Sequence, residues 1–105
     1  HYSPVTPCYR FSDWQDAEEY LREHVGKSVI VLALSRVTPP SAGHHVVAMP
    51  TDPDAYARHL YAALRSADAR KPSAILIESP ADAAQWLAVR DRLGRAARPL
   101  SHRPA

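Results

Sequence analysis

Two stretches of this chain leave no face for water. Residues 27–35 read Lys-Ser-Val-Ile-Val-Leu-Ala-Leu-Ser and residues 73–78 read Ser-Ala-Ile-Leu-Ile-Glu. Strands of this kind must be covered on both sides, as strands in the middle of a parallel sheet are. Around them the apolar positions recur at helical spacing instead. Trp14, Ala17, Leu21 and Val25 form one stripe, with Asp16, Glu18, Glu19, Arg22 and Glu23 on the other faces. Tyr56, Leu60, Leu64 and Ala67 form a second, with Arg58, Arg65 and Asp68 facing out, and Trp86, Val89, Leu93 and Ala97 form a third.

The boundaries follow from turn and cap chemistry. Residues 1–7 hold two prolines and no periodicity, so they read as an extended arm, a linker or lid, leading into a short strand over residues 8–11. Ser12 with Gln15 three residues on is a capping-box pattern, and Gly26 closes that first helix. Pro39, Pro40 and Gly43 make residues 35–44 a loop. Residues 45–49 return as a strand that Pro50 ends, which favours a sheet edge. Asp52 followed by Pro53 starts the second helix, Lys71-Pro72 closes it, and Ser79-Pro80 starts the last helix in the same way. The expectation is an α/β domain over residues 8–97, an open, mostly parallel sheet of about four strands with three helices on its faces. Residues 98–105, with two prolines and no further apolar period, are expected to be a disordered tail.

Composition narrows the partners more than the fold. A chain of 105 residues makes one domain. Its net charge of +2 is too small to argue for nucleic acid. The arginines at 90, 92, 95, 98 and 103 read first as a solvated helix face and tail, with contact to something acidic, tRNA included, ranked last. The single Cys8 excludes an internal disulfide and suits a reducing cytoplasm. No apolar run approaches the roughly 20 residues of a membrane span. The chain begins with His1 rather than Met and is expected to be a piece of something longer.

Candidate chemistry is sparse, and no catalytic constellation is visible. Glu78 and Ser35 close the two buried strands at their carboxyl ends, where α/β sheets place their ligands. Glu78 is also accounted for as an acid before the N-terminus of the following helix. His44 and His45 are the densest histidine pair, but neighbours on an extended strand point to opposite faces, so no metal site is expected. None of the three glycines forms a phosphate-binding motif, and Cys8 has no histidine at motif spacing. Tyr61 and Tyr56 read as boundary or core aromatics, with a partner-facing role for Tyr61 left open.

Four stretches in order carry a resemblance. They are His1-Tyr2-Ser3-Pro4-Val5-Thr6-Pro7; Asp54-Ala55-Tyr56-Ala57-Arg58-His59-Leu60-Tyr61-Ala62-Ala63-Leu64-Arg65 with Asp68 after it; Ile75-Leu76-Ile77-Glu78-Ser79-Pro80; and Trp86-Leu87-Ala88-Val89-Arg90-Asp91-Arg92-Leu93. Together they resemble the C-terminal domain of the threonylcarbamoyl-adenylate synthase family, two-domain enzymes whose catalytic half is YrdC-like. Ser3 stands where the family usually has Ala, and the basic residue that normally precedes the His-Tyr pair lies outside the chain.

The resemblance implies a small Rossmann-like, three-layer domain that is not itself an enzyme. The parent chain would be a cytoplasmic nucleotidyltransferase. It would bind ATP with Mg, threonine and bicarbonate to make threonylcarbamoyl-adenylate for tRNA modification. The implied partner is the catalytic domain of that parent, on which this domain would dock, acting as an accessory or regulatory piece that anchors the active-site lid. His1 and Tyr2 would belong to the lid, with Tyr2 approaching the nucleotide, and as a free end both are expected to be mobile. No catalytic residue, metal or cofactor is implied for the fragment. The alternative is a stand-alone nucleotide- or phosphate-binding module using Ser35 and Glu78.

Overall fold

All five residues of the strand Val29–Ala33 are buried, and they are shared between two cores. Ile30 and Leu32 pack on one side of the sheet, and Val29, Val31 and Ala33 on the other. Ala74–Glu78 does the same, with Ile75 and Ile77 on the first side and Ala74 and Leu76 on the second. At about 1.5–3 kcal/mol for each large aliphatic side chain fully buried, these two strands are the largest local contribution to stability.

The computed structural model describes residues 2–35 and 43–102. Its strands are β1 (Cys8–Phe11), β2 (Val29–Ala33), β3 (His44–Ala48), β4 (Ala74–Glu78) and β5 (Arg98–Pro99). Its helices are α1 (Trp14–Glu23), α2 (Pro53–Ala69) and α3 (Leu87–Ala96), the last preceded by a single 3-10 turn at Ala84–Trp86. The strands form one parallel sheet in the order β3-β2-β4-β1-β5. Tyr20 and Leu21 of α1 pack on one face, and Tyr56, Leu60 and Leu64 of α2 with Val89 and Leu93 of α3 pack on the other. The result is the three-layer α/β architecture read from the sequence, with β3 at an edge as Pro50 indicates. The sheet has five strands rather than about four, all parallel.

The fifth strand corrects the reading of a disordered tail for residues 98–102. Arg98 and Pro99 pair with Tyr9 and Arg10 of β1, and Leu100 is buried against the α1 face. A guanidinium N–H of Arg10 also donates to the Ala97 carbonyl. A two-residue strand containing proline has no periodicity to detect, and its anchor is one leucine. Residues 103–105, the loop residues 36–42 and His1 lie outside the described residues.

Helix ends differ from the cap patterns in three places. Asp13, not Ser12, is the cap of α1, its Oδ1 accepting from the Gln15 amide at 2.9 Å. The helix stops at Glu23 because the imidazole of His24 takes the Tyr20 carbonyl at 2.7 Å, while its amide turns to Leu21. Val25 therefore leaves the stripe and is 65% exposed, and Tyr20 is buried in its stead. The last helix begins at Leu87, well beyond Ser79-Pro80, although its inward residues Trp86, Val89, Leu93 and Ala97 are all buried as expected. Asp52 caps α2 as expected, its Oδ2 accepting from the Ala55 amide at 2.9 Å.

One polar atom in the α2 core has no partner. Tyr56 is fully buried with its ring edge-on to Trp86, and its hydroxyl makes no hydrogen bond among the described residues. An unsatisfied buried group costs about 1–3 kcal/mol. Tyr56→Phe is therefore expected to raise stability by about 1 kcal/mol, seen as a higher urea midpoint at unchanged slope. A lower midpoint would show that the hydroxyl is bonded in solution.

Candidate functional site

The residue that organises the chain's leading segment is Asp68, in the last turns of α2. Its Oδ1 accepts from the Thr6 amide at 3.0 Å and the Thr6 hydroxyl at 2.6 Å. Its Oδ2 accepts from the Val5 amide at 3.1 Å and from the Tyr2 hydroxyl. Each carboxylate oxygen thus takes two donors, one backbone and one side chain. The arm continues from this clasp straight into the sheet: the Pro7 carbonyl accepts from the Ile75 amide at 2.9 Å, and Cys8 begins β1.

Electrostatics follow the donors. The Thr6 hydroxyl first, then the Tyr2 hydroxyl and the Val5 and Thr6 amides, hold the Asp68 carboxyl well below the usual carboxylate range. The same bond to Asp68, with partial desolvation and the nearby negative charge, raises the Tyr2 phenol. The Arg65 guanidinium lies 6.0 Å from the centre of the Tyr2 ring, within cation–π range, and Tyr2 packs against the α2–α3 core. Tyr2 is therefore held, contrary to the expectation of a mobile free end, because three residues of the arm share one acceptor. The arm is not a source of reactive sulfur either. Cys8 is buried, and desolvation, with the Asp68 charge adding to it, pushes its thiol up to about 12.

The strand ends named from the sequence are brought together. Glu78 Oε1 accepts from the Leu34 amide at 2.7 Å and the Ser35 amide at 3.0 Å, and Oε2 accepts from the Ser35 hydroxyl at 2.8 Å. Ser35 Oγ in turn accepts from the Trp14 indole N–H at 3.0 Å. Two adjacent amides at the end of a central strand are where an anionic ligand of an α/β sheet would bind. Here the chain's own carboxylate takes them, tying β4 to the end of β2.

The histidine pair alternates across β3. His44 is buried with its Nε2 3.1 Å from the His24 carbonyl, which fixes the proton on that nitrogen, and His45 is exposed. Among the described residues no three side chains of metal-ligating type are gathered as a metal site, and no helix is long and apolar enough to cross a membrane.

Sequence reasoning placed Asp68 on the outward face of its helix and missed its role. Spacing within α2 does not reveal a partner 62 to 66 positions away, and the only available signal was Asp68's place in the motif that carries the resemblance.

Fold and site together define a class: a parallel α/β domain whose helix surface grips its own leading segment and whose strand-end amides are filled from within. The chain matches the family model described as threonylcarbamoyl-AMP synthase, C-terminal domain, over residues 1–98. It belongs to that family, in agreement with the resemblance carried by its four motifs. Among curated proteins and among solved structures nothing matches the chain.

Proposed function

We propose that this chain is the non-catalytic accessory domain of an L-threonylcarbamoyladenylate synthase, docking on the enzyme's catalytic domain and anchoring the segment that closes over its active site. The observation that carries this reading is the Asp68 clasp. A flexible closing segment loses conformational freedom each time it orders, about 1–2 kcal/mol per residue fixed. Holding residues 2–6 on α2 in advance removes part of that cost from the closing step. In this reading Tyr2 is the outermost fixed point of the segment.

The parent enzyme would be a cytoplasmic nucleotidyltransferase acting in tRNA modification, with ATP, threonine and bicarbonate as substrates. ATP with Mg is assigned to the catalytic domain; among the described residues no three side chains of metal-ligating type are gathered for a cation. The strand-end alternative is disfavoured by Glu78, which already satisfies the amides of Leu34 and Ser35.

The test is incubation of the pure chain with ATP, Mg, threonine and bicarbonate, beside the catalytic domain alone and the two mixed. The expected result is no turnover by the chain and faster turnover by the mixture than by the catalytic domain alone. Turnover by the pure chain overturns the non-catalytic assignment, and a mixture no faster than the catalytic domain overturns docking.

A further inference from the structure

The outward side of α2 carries a stripe at helical spacing: Asp54, Arg58, Tyr61, Arg65 and Asp68. The arm uses its lower half, through Arg65 and Asp68. The upper half opens on a separate cleft of about 540 Å³, in which Asp54, Ala57, Arg58 and Tyr61 of α2 face Arg92 of α3.

The charges in this cleft are set apart from those beside it. Arg90 donates to the Pro80 carbonyl at 2.7 Å and lies 3.8 Å from Asp82. Arg95 pairs with Asp91 one turn earlier on the same helix. Arg58 and Arg92 have no such carboxylate partner among the described residues. Two guanidinium groups from different helices, a half-buried tyrosine and one carboxylate therefore line the same cleft.

We propose that the α2–α3 cleft binds a nucleoside phosphate. Guanidinium groups recognise phosphate oxygens in pairs and at fixed geometry, so Arg58 and Arg92 hold the phosphate. The exposed part of the half-buried Tyr61 ring is a platform for a base, which assigns the base to Tyr61. Asp54 accepts from a ribose hydroxyl or an exocyclic amine. An inorganic polyanion offers no such donor and is repelled by that carboxylate, so the set favours a nucleotide over bare phosphate. The shallow, open form of the cleft admits either a free nucleotide or a nucleotide exposed in an RNA chain. The fold puts Arg92 in one cleft with Arg58 and Tyr61, a juxtaposition not visible from spacing on either helix.

The experiment follows amide chemical shifts of this chain during titration with AMP, ATP, inorganic triphosphate and a short oligoribonucleotide at low salt, where phosphate contacts are strongest. Saturable shifts confined to residues 54–61 and 88–92 are expected. Arg58→Ala with Arg92→Ala should weaken AMP, ATP and the oligonucleotide by roughly tenfold or more. Tyr61→Leu should weaken AMP while leaving triphosphate unchanged. All three positions are on the helix surface, and a circular dichroism spectrum matching the parent verifies that each variant is folded. An oligonucleotide binding more tightly than AMP identifies RNA as the source, and equal affinity identifies the free nucleotide. The proposal is overturned by absence of saturation at these amides, by triphosphate binding as tightly as ATP, or by shifts centred on Leu34 and Ser35 instead. It is also overturned if the arginine substitutions weaken only capture of the catalytic domain, which would make the cleft a seat for an acidic protein surface.

Discussion

Asp68→Asn frees the leading arm without unfolding the domain. The substituted amide keeps one acceptor oxygen but loses the charge and the second oxygen that together take four donors. Amide exchange at Val5 and Thr6 is expected to rise to that of an exposed chain, while the amides of β2 and β4 keep their protection. In the intact parent enzyme the same substitution is expected to lower kcat/KM by on the order of tenfold, equivalent to about 1.4 kcal/mol of closing cost. Released amides with unchanged kinetics would sink the lid-anchoring role and leave the clasp as a structural device. Amides that remain protected would show that Asp68 is not the anchor.

The clasp also has a defined response to pH. Hydrogen bonds depress the folded-state Asp68 pKa below the ordinary value near 4. Its contribution is then complete above that ordinary value and is lost only as pH falls through the depressed one. Tyr2 has the opposite sign: its phenol is raised, so its contribution is complete below about 10 and is lost as pH rises through the higher folded value. The arm is accordingly expected to stay in place from mild acid to mild alkali. Arm protection followed across pH in the wild type, with Asp68→Asn as the flat reference, measures both edges. Release of the wild-type arm near pH 5 would contradict the depressed carboxyl.

What the sequence made legible was what aliphatic runs and helical stripes encode. Residues 29–33 and 74–77 are the two-sided strands those runs predict, and four of the five buried residues of α2 were identified, Ala63 being missed. Information that depends on closure was not legible. Arg98 and Pro99 become a strand only because β1 offers a free edge and Leu100 a buried anchor. Val25 left its stripe because the His24 side chain took a carbonyl the next helical turn would have used. Ser35 and Glu78 were both recognised as strand ends, yet nothing in their separation of 43 positions says that they bind each other. Asp68 is the extreme case: among surface acids on a helix it looks ordinary until the arm is folded onto it.

Glu78→Ala tests whether that internal carboxylate stands where a ligand otherwise would. The substitution removes the acceptor for two amides and a hydroxyl at the end of β2. Hydrogen bonds to a charged group contribute about 1.5–3 kcal/mol when buried. Ser35 is exposed, and Leu34 and Glu78 are half-buried, so water recovers part of this and a loss of about 2 kcal/mol is expected. The vacated amides then form a small anion cradle. Inorganic phosphate is expected to shift the Leu34 and Ser35 amides in the Glu78→Ala chain and to leave them unmoved in the wild type. If wild-type Leu34 and Ser35 respond to phosphate as strongly as the variant, the carboxylate does not block the crevice, and the strand-end binding module becomes the better account of this domain.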